Sequence, residues 1–139
     1  MKTRRLFSFL ACAASPLFTS AAPAAAGEQQ YVCEVVDTYE LDGSGVLEHS
    51  NWQEQFAGSR FTVSRSTGQI VGQVLPTDRA SSVQIINPGS ADYSFKAVAH
   101  FEELGHVQVI EIQEFKSGRT KPFVAMSMGG AGIVTGVCE

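Results

Sequence analysis

Apolar side chains recur at every second position along most of this chain, and that period constrains the fold more than any other feature. In "YSFKAVAHFE", Tyr93, Phe95, Ala97, Ala99 and Phe101 share one face. Ser94, Lys96, His100 and Glu102 take the other, with Val98 the exception. A strand sends successive side chains to opposite sides, so such a segment buries one face and wets the other. "RFTVSR" repeats the pattern through Phe61 and Val63. "STG", Ser66 to Gly68, then reads as a turn, and "QIVGQV" as the returning strand of a hairpin.

Further strands follow by the same logic. "SVQIIN" carries Val83 and Ile85 and stops at the turn residues "PGSAD". "HVQVIEIQEF" changes phase, from Val107 and Val109 to Ile110 and Ile112, which predicts a bulge near Val109. "KPFVAMSM" holds Pro122, which fits an edge or the start of a strand. The last strand is "GIVTGVCE". Helical periodicity is weak throughout. "NWQEQFAG" fits one short helical turn, capped by Asn51 and stopped by Gly58, and fits equally a loop pinned by Trp52 and Phe56.

The segments before all this read differently. "MKTRRLFSFLACAASPLFTSAAPAAAG" has a basic start, an apolar run and an A-x-A box. That order is a secretory signal cut after Ala26, leaving residues 27–139 as one exported β-domain. The apolar run is shorter than the roughly 20 residues a membrane span needs. Cys12 falls inside the leader, so Cys33 and Cys138 are the two cysteines left to an exported chain. An oxidising compartment then predicts a disulfide between them, joining the first strand to the last.

About eight or nine strands with short connections manage their edges by closing or by stacking. Joined termini favour closure. The expected fold is therefore all-β, a small antiparallel β-barrel, with a β-sandwich as the alternative.

Charge narrows the partners. Past residue 26 there are 7 Lys and Arg against 14 Asp and Glu, a net charge of −7. Phosphate backbones and anionic membranes are bound with Lys and Arg, so this balance predicts no nucleic acid and suits a cationic protein or envelope component. No segment after the leader is apolar enough to span a membrane.

"YELDGSGVLEHSN", Tyr39 to Asn51, partly follows a calcium loop. Glu40, Asp42 and Ser44 fall on ligand positions, and Gly45 on the sharp turn. The twelfth position should supply a bidentate carboxylate, and it is Asn51. The flanks are strand-like where helices are required. Asp42-Gly43-Ser44-Gly45 reads better as a hairpin loop.

Other chemistry is thin. His100 and His106 flank "FEELG" and could face each other, but a metal would need a third ligand such as Glu102 or Glu103. They read as exposed strand histidines, and no metal or cofactor is expected. Met126 and Met128 share a face, fit for Cu(I) but better explained as soft core filler. Gly129, Gly130, Gly132 and Gly136 suit a tight turn into the last strand, with Gly136 permitting close approach beside the bridge. No G-x-S-x-G occurs and no nucleophile sits beside a base, so the chain reads as non-catalytic.

"YVC" at Tyr31 to Cys33 and the terminal "CE" are similar to the ends of bacterial exported inhibitors of c-type lysozyme, which are small barrels. The S-G-x-x-Y motif of that group is not reproduced, because "GSADY", Gly89 to Tyr93, reverses its first two residues. A lipocalin-like G-x-W near the first strand is also absent. Neither family is assigned. The expected function is a non-catalytic exported binding module of the bacterial cell envelope, periplasmic or extracellular. Tyr39, Trp52, Phe56 and Tyr93 are its candidate contacts. The alternative is a carrier with a small apolar ligand in its lumen. At this length an eight-stranded interior is usually just full.

Overall fold

The computed structural model of the protein describes residues 30–128 and 132–139. The leader read over residues 1–26, with Cys12, lies outside that range, as do Gly129 and Gly130. Nine strands form among the described residues: β1 (Gln30–Leu41), β2 (Leu47–His49), β3 (Arg60–Ser64), β4 (Ile70–Gly72), β5 (Ser82–Pro88), β6 (Phe95–Phe101), β7 (His106–Ile112), β8 (Lys121–Ser127) and β9 (Gly132–Cys138). One helical turn, α1 (Gln53–Phe56), precedes β3, and a 3₁₀ turn (Glu102–Leu104) joins β6 to β7.

All pairings are antiparallel, in the order β4-β3-β1-β9-β8-β7-β6-β5, with β2 paired to the far half of β1. The protein is thus all-β, and its sheet curls into a half-barrel. Tyr31 of β1 and Phe95 of β6 show the curl. They lie four strands apart in the sheet, yet their rings meet at 5.2 Å across the interior. Phe61 and Phe123 pack edge to face at 5.3 Å. The ends of the path, β4 and β5, share no ladder. Instead the β3–β4 turn leans on the far wall. A Cβ on Gly68 would stand 2.9 Å from Cβ of Ala97 and 3.2 Å from Val83, so a residue with no side chain lets the turn seat there.

The cysteine pairing holds. Cys33 and Cys138 are direct partners in the β1–β9 ladder, disulfide-bonded and fully buried. This join sits in the middle of the sheet, so the gap falls between β4 and β5, where residues 73–81 cross. Gly136 does permit close approach: a Cβ there would collide with the Glu34 carbonyl and lie 2.7 Å from Phe123.

One expectation about strand phase changes. β7 runs against β6 and β8 in unbroken register, with no bulge near Val109. Gln108, Ile110 and Ile112 point inward, and Val109 outward. The apparent phase change comes from one polar residue in an inward position. The true bulge of this kind is in β1, between Val35 and Asp37. Before it, Tyr31, Cys33 and Val35 are buried; after it, Thr38 is. An extra residue shifts the alternation by one and bends the strand. A second bulge lies in β5 between Ile85 and Asn87.

Met126 and Met128 are not core filler. They share a face as expected, but it is the outer one, and they are 41% and 66% exposed. The interior is full without them. One interior gap, about 10 Å³ between Gly68, Ile70, Ala97 and Gln108, holds at most a single water.

The registers sort the loops into two ends. The β1–β2 hairpin, the 73–81 segment and the 3₁₀ turn lie at one. The β3–β4 turn, the β5–β6 loop and the β7–β8 loop lie at the other.

Candidate functional site

The first end carries an apolar cleft of about 580 Å³. Its floor is Val74, Phe101 and Val134, all buried. Its walls are Trp52 and Phe56 on one side and Leu75 and Leu104 on the other. Trp52 is 47% exposed and Leu104 66%, so the cleft opens to solvent between two large apolar groups.

α1 is four residues long, too short to persist alone. Gln53 holds it. Its Oε1 accepts from the Thr38 N–H at 2.6 Å, and its Nε2 donates to the Val36 carbonyl at 3.0 Å and to Asp37 Oδ1 at 3.1 Å. Val36 is the bulged residue of β1, and on this edge β1 pairs with β3 only as far as Glu34 and with β2 only from Tyr39, so the main-chain groups of Val36 and Thr38 have no strand partner there. One side-chain amide satisfies both and so ties α1 to the sheet. Thr38 Oγ1 and Ser50 Oγ, both buried, bond each other at 2.7 Å beside it. The helical turn starts at Trp52, without a side-chain cap from Asn51. Trp52 and Phe56, one turn apart, then stack at 5.7 Å with 19° between planes.

The opposite wall is also held by a side chain. Gln108 Nε2 donates to the Leu75 carbonyl at 2.7 Å. Leu75 has a φ of +52°, the one left-handed non-glycine backbone among the described residues. Strain of this kind persists where surrounding contacts impose it, and it gathers at functional sites. Thr77 anchors the same segment: its Oγ1 accepts from the Ile70 N–H at 2.8 Å. His106 lies on Phe101 with ring centres 4.4 Å apart and completes the cleft.

Acidic residues are frequent in the segments at this end. Asp78 and Arg79 line the cleft, Glu102 and Glu103 precede Leu104, and Glu54 lies between Trp52 and Phe56. The β1–β2 hairpin at the same end adds Glu40, Asp42 and Glu48, and Arg79 is the sole Lys or Arg among these segments.

The sequence candidates separate. Trp52 and Phe56 meet in the cleft. Tyr39 is on the outer face, stacked on His49 at 4.9 Å, where desolvation and the nearby Asp37 carboxylate raise its pKa. Tyr93, 65% exposed, is on the β5–β6 loop at the other end. The four therefore do not form one contact surface. His100 and His106 do not face each other either. His100 pairs with Val107 on the outer face, and His106 with Phe101 on the inner. Among the described residues, no three His, Cys, Asp or Glu side chains converge.

The 39–51 stretch is a hairpin, with Tyr39, Glu40 and Leu41 paired to His49, Glu48 and Leu47. Asp42 is occupied by its own turn. It accepts from the Ser44 hydroxyl and from the Ser44 and Val46 N–H groups, and these bonds hold its carboxyl below the usual range.

Gln53, Leu75, Leu104 and Gln108 were not legible as site residues. Gln108 alone left a trace, as the polar residue that broke the alternation of β7.

No protein-family model matches this chain, and no curated protein or solved structure matches it. The half-barrel and its end cleft therefore carry the functional argument alone.

Proposed function

We propose that the protein is a non-catalytic exported binding module of the bacterial cell envelope, which receives apolar side chains of a cationic protein partner in its end cleft. One observation carries this reading: the apolar cleft opens at the end of the fold whose segments carry seven Asp and Glu (Glu40, Asp42, Glu48, Glu54, Asp78, Glu102 and Glu103) against Arg79 alone. An apolar pocket gives burial, and like-signed charge around it selects the sign of the partner and speeds its approach. Trp52 in a half-open pocket is a typical anchor position.

A second reading is a carrier of a small apolar ligand. The cleft volume lies in the range of small-molecule sites. The filled interior counts against a lumenal ligand, so such a carrier would also use the end cleft.

Trp52 is the only tryptophan, so its fluorescence reports the cleft directly. The probe is an amphipathic peptide of alternating Lys and Leu, with a Glu–Leu peptide and an uncharged fatty alcohol for comparison. The expected result is a saturable blue shift with the Lys–Leu peptide and none with the Glu–Leu peptide. Leu104→Ala, at an exposed wall residue, should weaken that binding by about tenfold, or about 1.4 kcal/mol. Tighter binding of the alcohol than of the Lys–Leu peptide would replace the first reading by the second.

A further inference from the structure

The end opposite the cleft has the reverse electrical character. Arg65 on the β3–β4 turn, Arg119 in the β7–β8 loop and Lys121 at the start of β8 surround a depression of about 270 Å³. It adjoins a shallower one of about 610 Å³ that shares Arg119 and Glu139 and adds Arg60, Ser64 and Ser66. Four of the seven Lys and Arg after residue 26 thus line two adjoining hollows on a strongly acidic chain.

Two of these cations are held in place. Arg65 lies over the Tyr31 ring, 4.6 Å from its centre, with Nη1 2.8 Å from Glu114 Oε1. The Tyr31 hydroxyl donates to the same oxygen at 2.6 Å. Lys121 Nζ donates to the Glu114 carbonyl at 3.0 Å and to the Lys116 carbonyl, leaving one of its three N–H groups free. Arg65 likewise keeps most of its five donors. Arg119 is the open member. Its side chain is 86% exposed and its guanidinium stands 3.6 Å from the Glu139 carboxylate. Against the four cations the hollows hold the Glu114 and Glu139 side-chain carboxylates, and Glu34 stands opposite Arg60 in the β1–β3 ladder.

We infer that these hollows form a binding site for a phosphate-class anion. The guanidinium fork pairs with phosphate oxygens two at a time. The Ser64 and Ser66 hydroxyls supply neutral donors at the edge. Because Arg65 and Lys121 are already fixed, binding orders mainly Arg119, which swings from Glu139 to the ligand. The net charge of the whole domain repels anions, so affinity here must come from these local donors. The ligand is a free phosphate compound or the phosphate of a lipid headgroup.

Calorimetric titration of the purified exported protein with inorganic pyrophosphate, at constant ionic strength in chloride, tests the site. The expected result is saturable one-site binding, weakened at least about tenfold in Arg119→Gln. Lys96→Gln makes the same charge change on β6 outside the hollows and should bind within about twofold of the unaltered protein. Sedimentation with phosphatidylglycerol vesicles, competed by pyrophosphate, assigns the source to a headgroup; binding of pyrophosphate alone assigns it to a soluble ligand. Absence of saturation, or equal weakening in both variants, overturns the site.

Discussion

Gln108 and Leu75, 33 residues apart, are joined by a 2.7 Å hydrogen bond from a buried amide to the carbonyl of a left-handed residue. This bond holds one wall of the apolar cleft. A left-handed Leu costs about 1–2 kcal/mol, so the segment keeps that shape because Gln108 and the packing around it outweigh the strain.

Replacing Gln108 by Ala removes the donor and leaves that carbonyl without its partner. The expected loss is about 1–3 kcal/mol, read as a lower urea midpoint with unchanged slope. Hydrogen exchange should speed up first at residues 73–77, and Trp52 emission should shift as the cleft relaxes. Unchanged exchange there would show that packing alone holds the wall.

The Cys33–Cys138 bridge closes a loop of 105 residues in sequence separation. In the chain-entropy model such a crosslink contributes about 4–5 kcal/mol by restricting the unfolded chain. The double variant Cys33→Ala, Cys138→Ala should lose that much in urea unfolding, a large share of the 5–15 kcal/mol typical of a domain. A loss under about 1 kcal/mol would mean that the β1–β9 ladder suffices.

Tyr31 gives a pH dependence with a definite sign. Burial raises its pKa well above 10, and its hydrogen bond to Glu114 adds to the shift. A raised folded value means that the contribution is complete below the unfolded value near 10 and is lost as pH rises beyond it. Stability should therefore decline above about pH 10, and Tyr31→Phe should remove part of that slope. An identical alkaline slope in Tyr31→Phe would rule out this assignment.

Much of the fold was legible because an alternating pattern is local. Phe95, Ala97, Ala99 and Phe101 announce their inward face within seven residues. Gly68 and Asp42 announce their turns through chemistry confined to a few positions. Cys33 and Cys138 could be paired at a distance once the leader was taken to remove Cys12. Legibility failed where two strands had to be compared. Gln108 looked like a break in phase because its partner, the Leu75 carbonyl, is 33 residues away. Met126 and Met128 were assigned to the core because apolar character alone does not say which face of a curled sheet is covered. A facing His100–His106 pair is compatible with the sequence because the one-residue offset in their register is not written in it.

By itself the sequence determined that this chain forms antiparallel strands, where most of them turn, and which cysteines meet. Tertiary structure alone decided that the sheet stops short at β4 and β5, that Trp52 and Phe56 face Leu75 and Leu104 across one cleft, and that basic and acidic groups divide between opposite ends. The reason is one of range. A two-residue period is written in neighbouring residues, whereas bulges and register, set between strands far apart in the chain, choose which side chains finally share a space.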